Sequence, residues 1–228
     1  MFYFDMYFLI LIVPALAFSL YAQYRVWSTY NEYAKERSSS GLTAAQAARR
    51  LLDRAGLFNV RIEAVPGQLT DHYDPRTKTL RLSDPESRSV AALGVAAHEA
   101  GHAIQDAQGY APLVLRSAVV PVASFGTNLG VILFLIGLFI PALKPLMWLG
   151  ILAFAGFVFF TLITLPVEFD ASRRAVQILQ ESGTIVERSE LGAVQKVLNA
   201  AALTYVAAAA MAVLHLIRFL MIARDSQR

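Results

Sequence analysis

The sequence predicts an α-helical membrane protein of about four transmembrane helices that carries a small α+β domain outside the lipid. Three observations predict it. Four long stretches lack any charged residue, running from Met6 to Tyr24, Ser117 to Leu143, Pro145 to Val167 and Val197 to Ile217. Each is about 19 residues or longer, enough for a helix to cross a hydrocarbon layer of about 30 Å. The chain as a whole is 56% hydrophobic with a mean hydropathy of +0.49, well above an ordinary soluble domain. Finally, only residues 26–116 form a polar segment long enough to fold by themselves, and there the apolar pattern switches from helical to alternating and back.

The first segment, residues 1–25, reads as an N-terminal anchor. It lacks the basic start and the small-residue cleavage site of a signal peptide, and aromatic residues crowd both its ends like interfacial anchors. Residues 117–167 form a transmembrane hairpin, because the two uncharged stretches there are separated by Lys144 alone, set between Pro141 and Pro145. Residues 168–196 are polar helices, and 197–228 form a last membrane-spanning or membrane-embedded helix, rich in alanine and containing His215.

Orientation follows from the basic residues. Of 20 Lys and Arg, 12 lie between Arg25 and Arg116, four between Arg173 and Lys196, one at Lys144 and three from Arg218 onward. The positive-inside rule then puts 26–116 and 168–196 in the cytoplasm and the Lys144 tip outside. The three late basic residues weigh against an exported C-terminus. The net charge is only +3 and no basic run is interleaved with aromatics, so a nucleic-acid partner is not expected. The lack of cysteine suits a chain that folds without disulfides.

Within 26–116, Thr43 and Gln46 form a capping-box pair before a helical run of Ala47, Ala48, Leu51 and Leu52, which Gly56 closes. Val60, Ile62 and Ala64 alternate with polar residues as in a strand. Asp74-Pro75-Arg76-Thr77 is a turn, and Leu80 and Leu82 mark a second strand. Leu80 to Ser83 is the candidate edge strand for pairing with an extended peptide. Ser87-Arg88-Ser89 then introduces a helix from Val90 to Gln108 that ends at Gly109.

That helix carries His98-Glu99-Ala100-Gly101-His102. Positions i and i+4 share a helix face, so both imidazoles can reach one metal ion, with Glu99 beside it as general base. Two of the chain's four histidines in one helical turn fit poorly with a merely structural role. Gly94 and Gly101 each cost the helix about 1 kcal/mol relative to alanine, which makes sense if another backbone packs closely there. A helix, a small sheet and then a helix bearing this motif is the minimal layout of a zincin-like protease domain.

Two imidazoles need a third protein ligand to hold zinc. Asp106, Glu168, Asp170 and His72 are the candidates. Asp106 lies two turns beyond His98 and is better placed to support His102 from behind. Glu168 follows the third uncharged stretch on the same expected side as the motif, where a charge is costly without a partner such as a metal. It is the favoured ligand. His72, beside the turn before the metal helix, is the first choice to steady an oxyanion, ahead of Tyr73, Arg173 and His215.

A ligand Glu at the end of a span, downstream of the histidine motif with a transmembrane hairpin between, resembles gluzincin membrane proteases of the HtpX and CAAX-prenyl-protease type. The closer resemblance is to the YugP-like family of neutral zinc metallopeptidases. It rests on the N-terminal span, Asp71-His72-Tyr73-Asp74-Pro75, His98-Glu99-Ala100-Gly101-His102-Ala103-Ile104-Gln105 and Glu168-Phe169-Asp170-Ala171-Ser172. The resemblance implies His98, His102 and Glu168 as zinc ligands, Glu99 as catalytic base and a bacterial plasma membrane as the location. The HtpX-type pattern has Asp four residues after the ligand Glu, where this chain has Ser172. Ser172 can hydrogen-bond a ligand but lacks the charge that would raise imidazole basicity. Metzincin and site-2 patterns do not fit, since Gln105 and Gln108 occupy the metzincin positions and no Asp-Gly pair occurs.

The expected activity is hydrolysis of peptide bonds at the cytoplasmic membrane face by a zinc-activated water, with a protein or peptide as substrate and the bilayer as surroundings. Membrane proteins or a second copy of the chain are further candidate partners. The alternative is a catalytically silent zinc-binding scaffold or sensor, against which the intact Glu99 argues. The 12-to-1 contrast in basic residues gives a test of orientation. Cysteines placed at Ser39 and Lys144 should label from opposite sides of the membrane, and labelling of both from outside would overturn the assignment.

Overall fold

The computed structural model describes residues 6–226, the side chains at 122 and 125 apart, so the first five residues of the expected anchor and the last two of the chain lie outside it. The fold is mostly helical with one small mixed sheet. In chain order come α1 (Val13–Tyr33), α2 (Ala44–Arg54), β1 (Arg61–Ala64), β2 (His72–Asp74), β3 (Thr79–Leu82), α3 (Val90–Ala107), α4 (Ala111–Phe139), α5 (Lys144–Glu181) and α6 (Arg188–Asp225). The chain divides into two compact units, one of residues up to 23, 114–166 and 204 onward, the other of 24–113 and 167–203.

Among the described residues three helical stretches are long and apolar enough to cross a membrane: Phe8–Tyr33, Pro141–Glu181 and Arg188–Asp225. A fourth is added if the two pieces of α4, Ala111–Pro121 and Gly126–Phe139, count as one span despite a 47° bend. Pro121 has no N–H to give the helix, and its ring crowds the preceding turn, which favours a bend there. Neither α5 nor α6 breaks where the uncharged stretches end. Each continues as one helix into the polar part of the sequence.

In the first unit α4 and α5 are joined by a short 3₁₀ turn, Pro141–Leu143, and pack through glycines. A Cβ on Gly126 would collide with the Ala153 carbonyl and one on Gly137 with the Met147 backbone, and one on Gly130 would lie 3.1 Å from the Gly150 carbonyl. Close backbone approach of this kind replaces the hydrophobic drive that lipid does not supply. Phe134, Met147, Phe154, Val158 and Phe219 fill the remaining core of this unit, with Phe134 stacked on Phe219.

One end of this unit gathers three distant parts of the chain. The Tyr7 hydroxyl donates to Asp225 at 2.8 Å, and Lys144 Nζ donates to the Ser226 carbonyl at 2.9 Å. The end of α6 therefore returns to the hairpin tip.

In the second unit α2 begins with both halves of the expected capping box. Thr43 accepts from the Gln46 N–H at 3.2 Å, and the Gln46 side chain accepts from the Thr43 N–H at 3.0 Å. The sheet order is β1-β3-β2, with β3 parallel to β1 and antiparallel to β2. Asp74 builds the turn, accepting from the Arg76 N–H and the Thr77 hydroxyl. The strand expected at the edge, from Leu80, is instead central, because Thr79, Leu80 and Leu82 are all buried and only the middle position covers both flanks. β1 and β2 are the outer strands, and among the described residues neither pairs with a further strand. Between α1 and α2, Ser38 and Ser39 are tied down: Glu190 of α6 accepts from the Ser38 hydroxyl and the Ser39 N–H.

The joining of Lys144 to the end of α6 sets a testable expectation. A tag fused after Arg228 should be accessible from the same side of the membrane as a cysteine at position 144, and protection of the tag on the opposite side would overturn it.

Candidate metal centre

Helix α3 starts as the sequence predicts, with the Ser89 hydroxyl accepting from the Ala92 N–H at 3.2 Å, and Gly109 beyond its end adopts φ +61°. It is lined by alanine and buried over most of its length. Small side chains let other helices come very near, and the two glycines show where. A Cβ on Gly94 would lie 3.1 Å from Val194 of α6. One on Gly101 would lie 2.9 Å from the Ala171 carbonyl of α5, a backbone atom that cannot yield cheaply. Alanine at 101 would force the two backbones apart.

That approach places Glu168, one turn before Ala171, against the motif. Glu168 Oε2 lies 3.2 Å from His98 Nε2 and 3.5 Å from His102 Nε2. The ligand atoms of His98, His102 and Glu168 all fall within 4.8 Å of one another. The rings of His98 and His102 meet edge to face with centroids 4.7 Å apart. Glu168 is only 2% exposed, and a buried carboxylate is costly without positive partners. Burial of His102 opposes its charging, yet the hydrogen bond to Glu168 and the charges of Glu99 and Glu168 outweigh that and lift its pKa above the usual value. The pocket is built to hold positive charge. Two imidazole nitrogens and one carboxylate oxygen converging there fit zinc, which takes this donor set and leaves a position open.

Behind each imidazole stands a second polar group. Ser172 Oγ lies 3.2 Å from His98 Nδ1, so Ser172 meets a ligand as its place in the sequence allowed. For His102 the partner differs from the expected one. Its Nδ1 lies 3.0 Å from Gln105 Oε1, while Asp106 accepts from the Tyr73 hydroxyl at 2.7 Å and from Lys78 at 2.5 Å. Asp106 is turned toward the β2–β3 hairpin, where a phenol and an ammonium compete for it successfully. It clamps β2 to the metal helix instead of supporting His102. Gln105 was identifiable in principle, as a polar residue three positions past His102 in an alanine-rich run.

The remaining candidates separate clearly. His72 is exposed, with Nδ1 2.8 Å from the Thr70 carbonyl and Nε2 3.5 Å from Arg81, and is not one of the converging groups. Its strand pairs it with Arg81, which draws the ring along the sheet. Tyr73 is committed to Asp106, and burial together with that bond raises its pKa. Arg173 pairs with Asp170. His215 packs near Phe154 and Phe219 in the other unit. Asp170, weighed as a ligand, serves Gln105, Arg173 and Arg174 instead.

With this geometry in hand, comparison with known proteins is informative. Residues 8–224 match the family described as "Putative neutral zinc metallopeptidase". The chain belongs to this family. It is also 49% identical over 219 residues to the "Putative membrane protease YugP" of Bacillus subtilis (strain 168), a match covering 95% of this chain and 96% of that protein. No solved structure matches the chain. Membership in a zinc metallopeptidase family agrees with the donor set, and the relative's name agrees with the apolar helices.

The position of Asp106 gives a prediction that separates clamp from metal support. Asp106→Asn should lower the melting temperature by several degrees as a charged hydrogen-bond pair is lost, with zinc affinity unchanged. A fall in affinity of about 10–100-fold, the usual cost of removing a group that supports a metal ligand, would return Asp106 to that role.

Proposed function

We propose that this protein is a zinc-dependent peptidase embedded in a cell membrane by several spans, hydrolysing peptide bonds at the cytoplasmic face. The observation that carries the reading is the convergence of His98, His102 and the buried Glu168 beside Glu99, itself only 7% exposed. Zinc held by those three residues would supply a Lewis acid that acidifies water and polarises a carbonyl. The chain's own part is proton transfer: Glu99 accepts the proton of the attacking water and passes it to the leaving amine. Glu168 and Glu99 have different tasks because their surroundings differ, one carboxylate facing two imidazoles and the other standing beside them.

The substrate is a protein or peptide, supported by the open edge of β2, which packs on α3 and is fixed there through Tyr73 and Asp106. An extended backbone added to that edge would lie alongside the metal helix without demanding particular side chains. The cytoplasmic orientation is supported by the concentration of Lys and Arg in 25–116.

Purified protein in detergent should contain about one zinc per chain by elemental analysis and cleave a labelled unfolded protein. His98→Ala, His102→Ala and Glu168→Gln should each lose stoichiometric zinc. Glu99→Gln should keep its zinc and lose turnover by at least about 100-fold. Full zinc retention in the three ligand variants would remove the site, and undiminished cleavage by Glu99→Gln would remove the mechanism.

A further inference from the structure

Gln105 is fully buried on the alanine-rich helix that carries both histidines, and all of its polar atoms are engaged. Its amide nitrogen donates to two oxygens, the Val167 carbonyl and Asp170 Oδ2, each at 2.9 Å. A backbone carbonyl can only accept, so the amide nitrogen must be the end that faces it. Turning the amide over would set oxygen against oxygen at both contacts. The amide oxygen is left facing His102, 3.0 Å from Nδ1. That oxygen can only accept, so Nδ1 must carry a proton. Nε2 is then the nitrogen that faces Glu168.

We propose that Gln105 is a positioning residue that holds His102 in the tautomer whose Nε2 is available to zinc, taking its own orientation from the Val167 carbonyl and Asp170. The inference rests on the metal reading of the site. Asp170 is itself paired with Arg173 and Arg174, which keeps it ionised and accepting. Arg174 also donates to Gln108, the residue that ends α3, at 2.6 Å, which adds a second tie between α5 and the end of the metal helix. His98 is held differently. Its Nδ1 meets the Ser172 hydroxyl, which can donate or accept and so imposes no tautomer. The two ligands are therefore unequal: one has its protonation pattern dictated by the fold, the other adapts.

The test uses the full-length protein in detergent, labelled with nitrogen-15 at its histidines. In the zinc-loaded wild type, His102 should show a slowly exchanging proton on Nδ1 and none on Nε2. Gln105→Met, close in volume and unable to accept that proton, should keep the wild-type circular dichroism. It should bind zinc about 10–100-fold more weakly in competition with a chromogenic chelator, and its His102 Nδ1 proton should exchange rapidly. Ser172→Ala should leave the His102 signature intact. Zinc bonded through Nδ1 of His102 in the wild type would overturn the inference whether or not the variant folds. Wild-type zinc affinity in a folded Gln105→Met would overturn it too, leaving the metal site standing. A wild-type protein that takes up no zinc would overturn the metal reading and this inference with it.

Discussion

The contact between Gly101 and the Ala171 carbonyl is the constraint on which the rest of the site depends. Helix axes separated by ordinary side chains lie 8–10 Å apart. A hydrogen in place of a methyl at 101 lets α5 come nearer, and only then can Glu168 reach both imidazoles from a neighbouring helix. The glycine lowers the intrinsic stability of α3 by about 1 kcal/mol relative to alanine. The burial of α3 against its neighbours offsets that. A site built this way depends on rigid helix packing, with no loop supplying a ligand.

Burial then gives the glutamates their chemistry. Glu168, almost fully enclosed, faces two imidazoles that compensate its charge, and the same arrangement raises the proton affinity of His102. A divalent cation answers the same electrostatic demand more fully than a proton. The triad is thus a cluster of mutually dependent polar groups in an apolar helix contact, where removing one partner destabilises the others.

The helix carrying the motif, its caps, the capping box of α2 and the turn at Asp74 were all legible in the sequence, since each depends on contacts within a few residues. The long apolar helices were legible from charge gaps alone. Strand order was not legible. Leu80 and Leu82 announce burial, but whether a buried strand lies at the centre or under a cover depends on partners distant in the chain. The partner of His102 was misplaced for a related reason. Helical spacing allowed both Gln105 and Asp106 near the ring, and the choice was made by Tyr73 and Lys78, which reach Asp106 from 33 and 28 positions away. His72 fell outside the cluster because its strand register commits it to Arg81.

The division of labour between the two helices is uneven. Helix α3 supplies the two imidazoles and Glu99, but almost everything that constrains them comes from eight residues of α5. Within 167–174, the Val167 carbonyl orients Gln105, Glu168 faces both rings, and Asp170 braces Gln105. Ala171 fixes the approach, Ser172 meets His98, and Arg173 and Arg174 hold Asp170. A helix presents positions i, i+3 and i+4 on one face, so Glu168, Ala171 and Ser172 arrive together as a single surface. Asp170 and Arg174, also four apart, form an adjoining row. The third ligand is therefore not an isolated carboxylate added to a histidine motif. It is one element of a helical face whose other members set the geometry in which that motif can bind a metal.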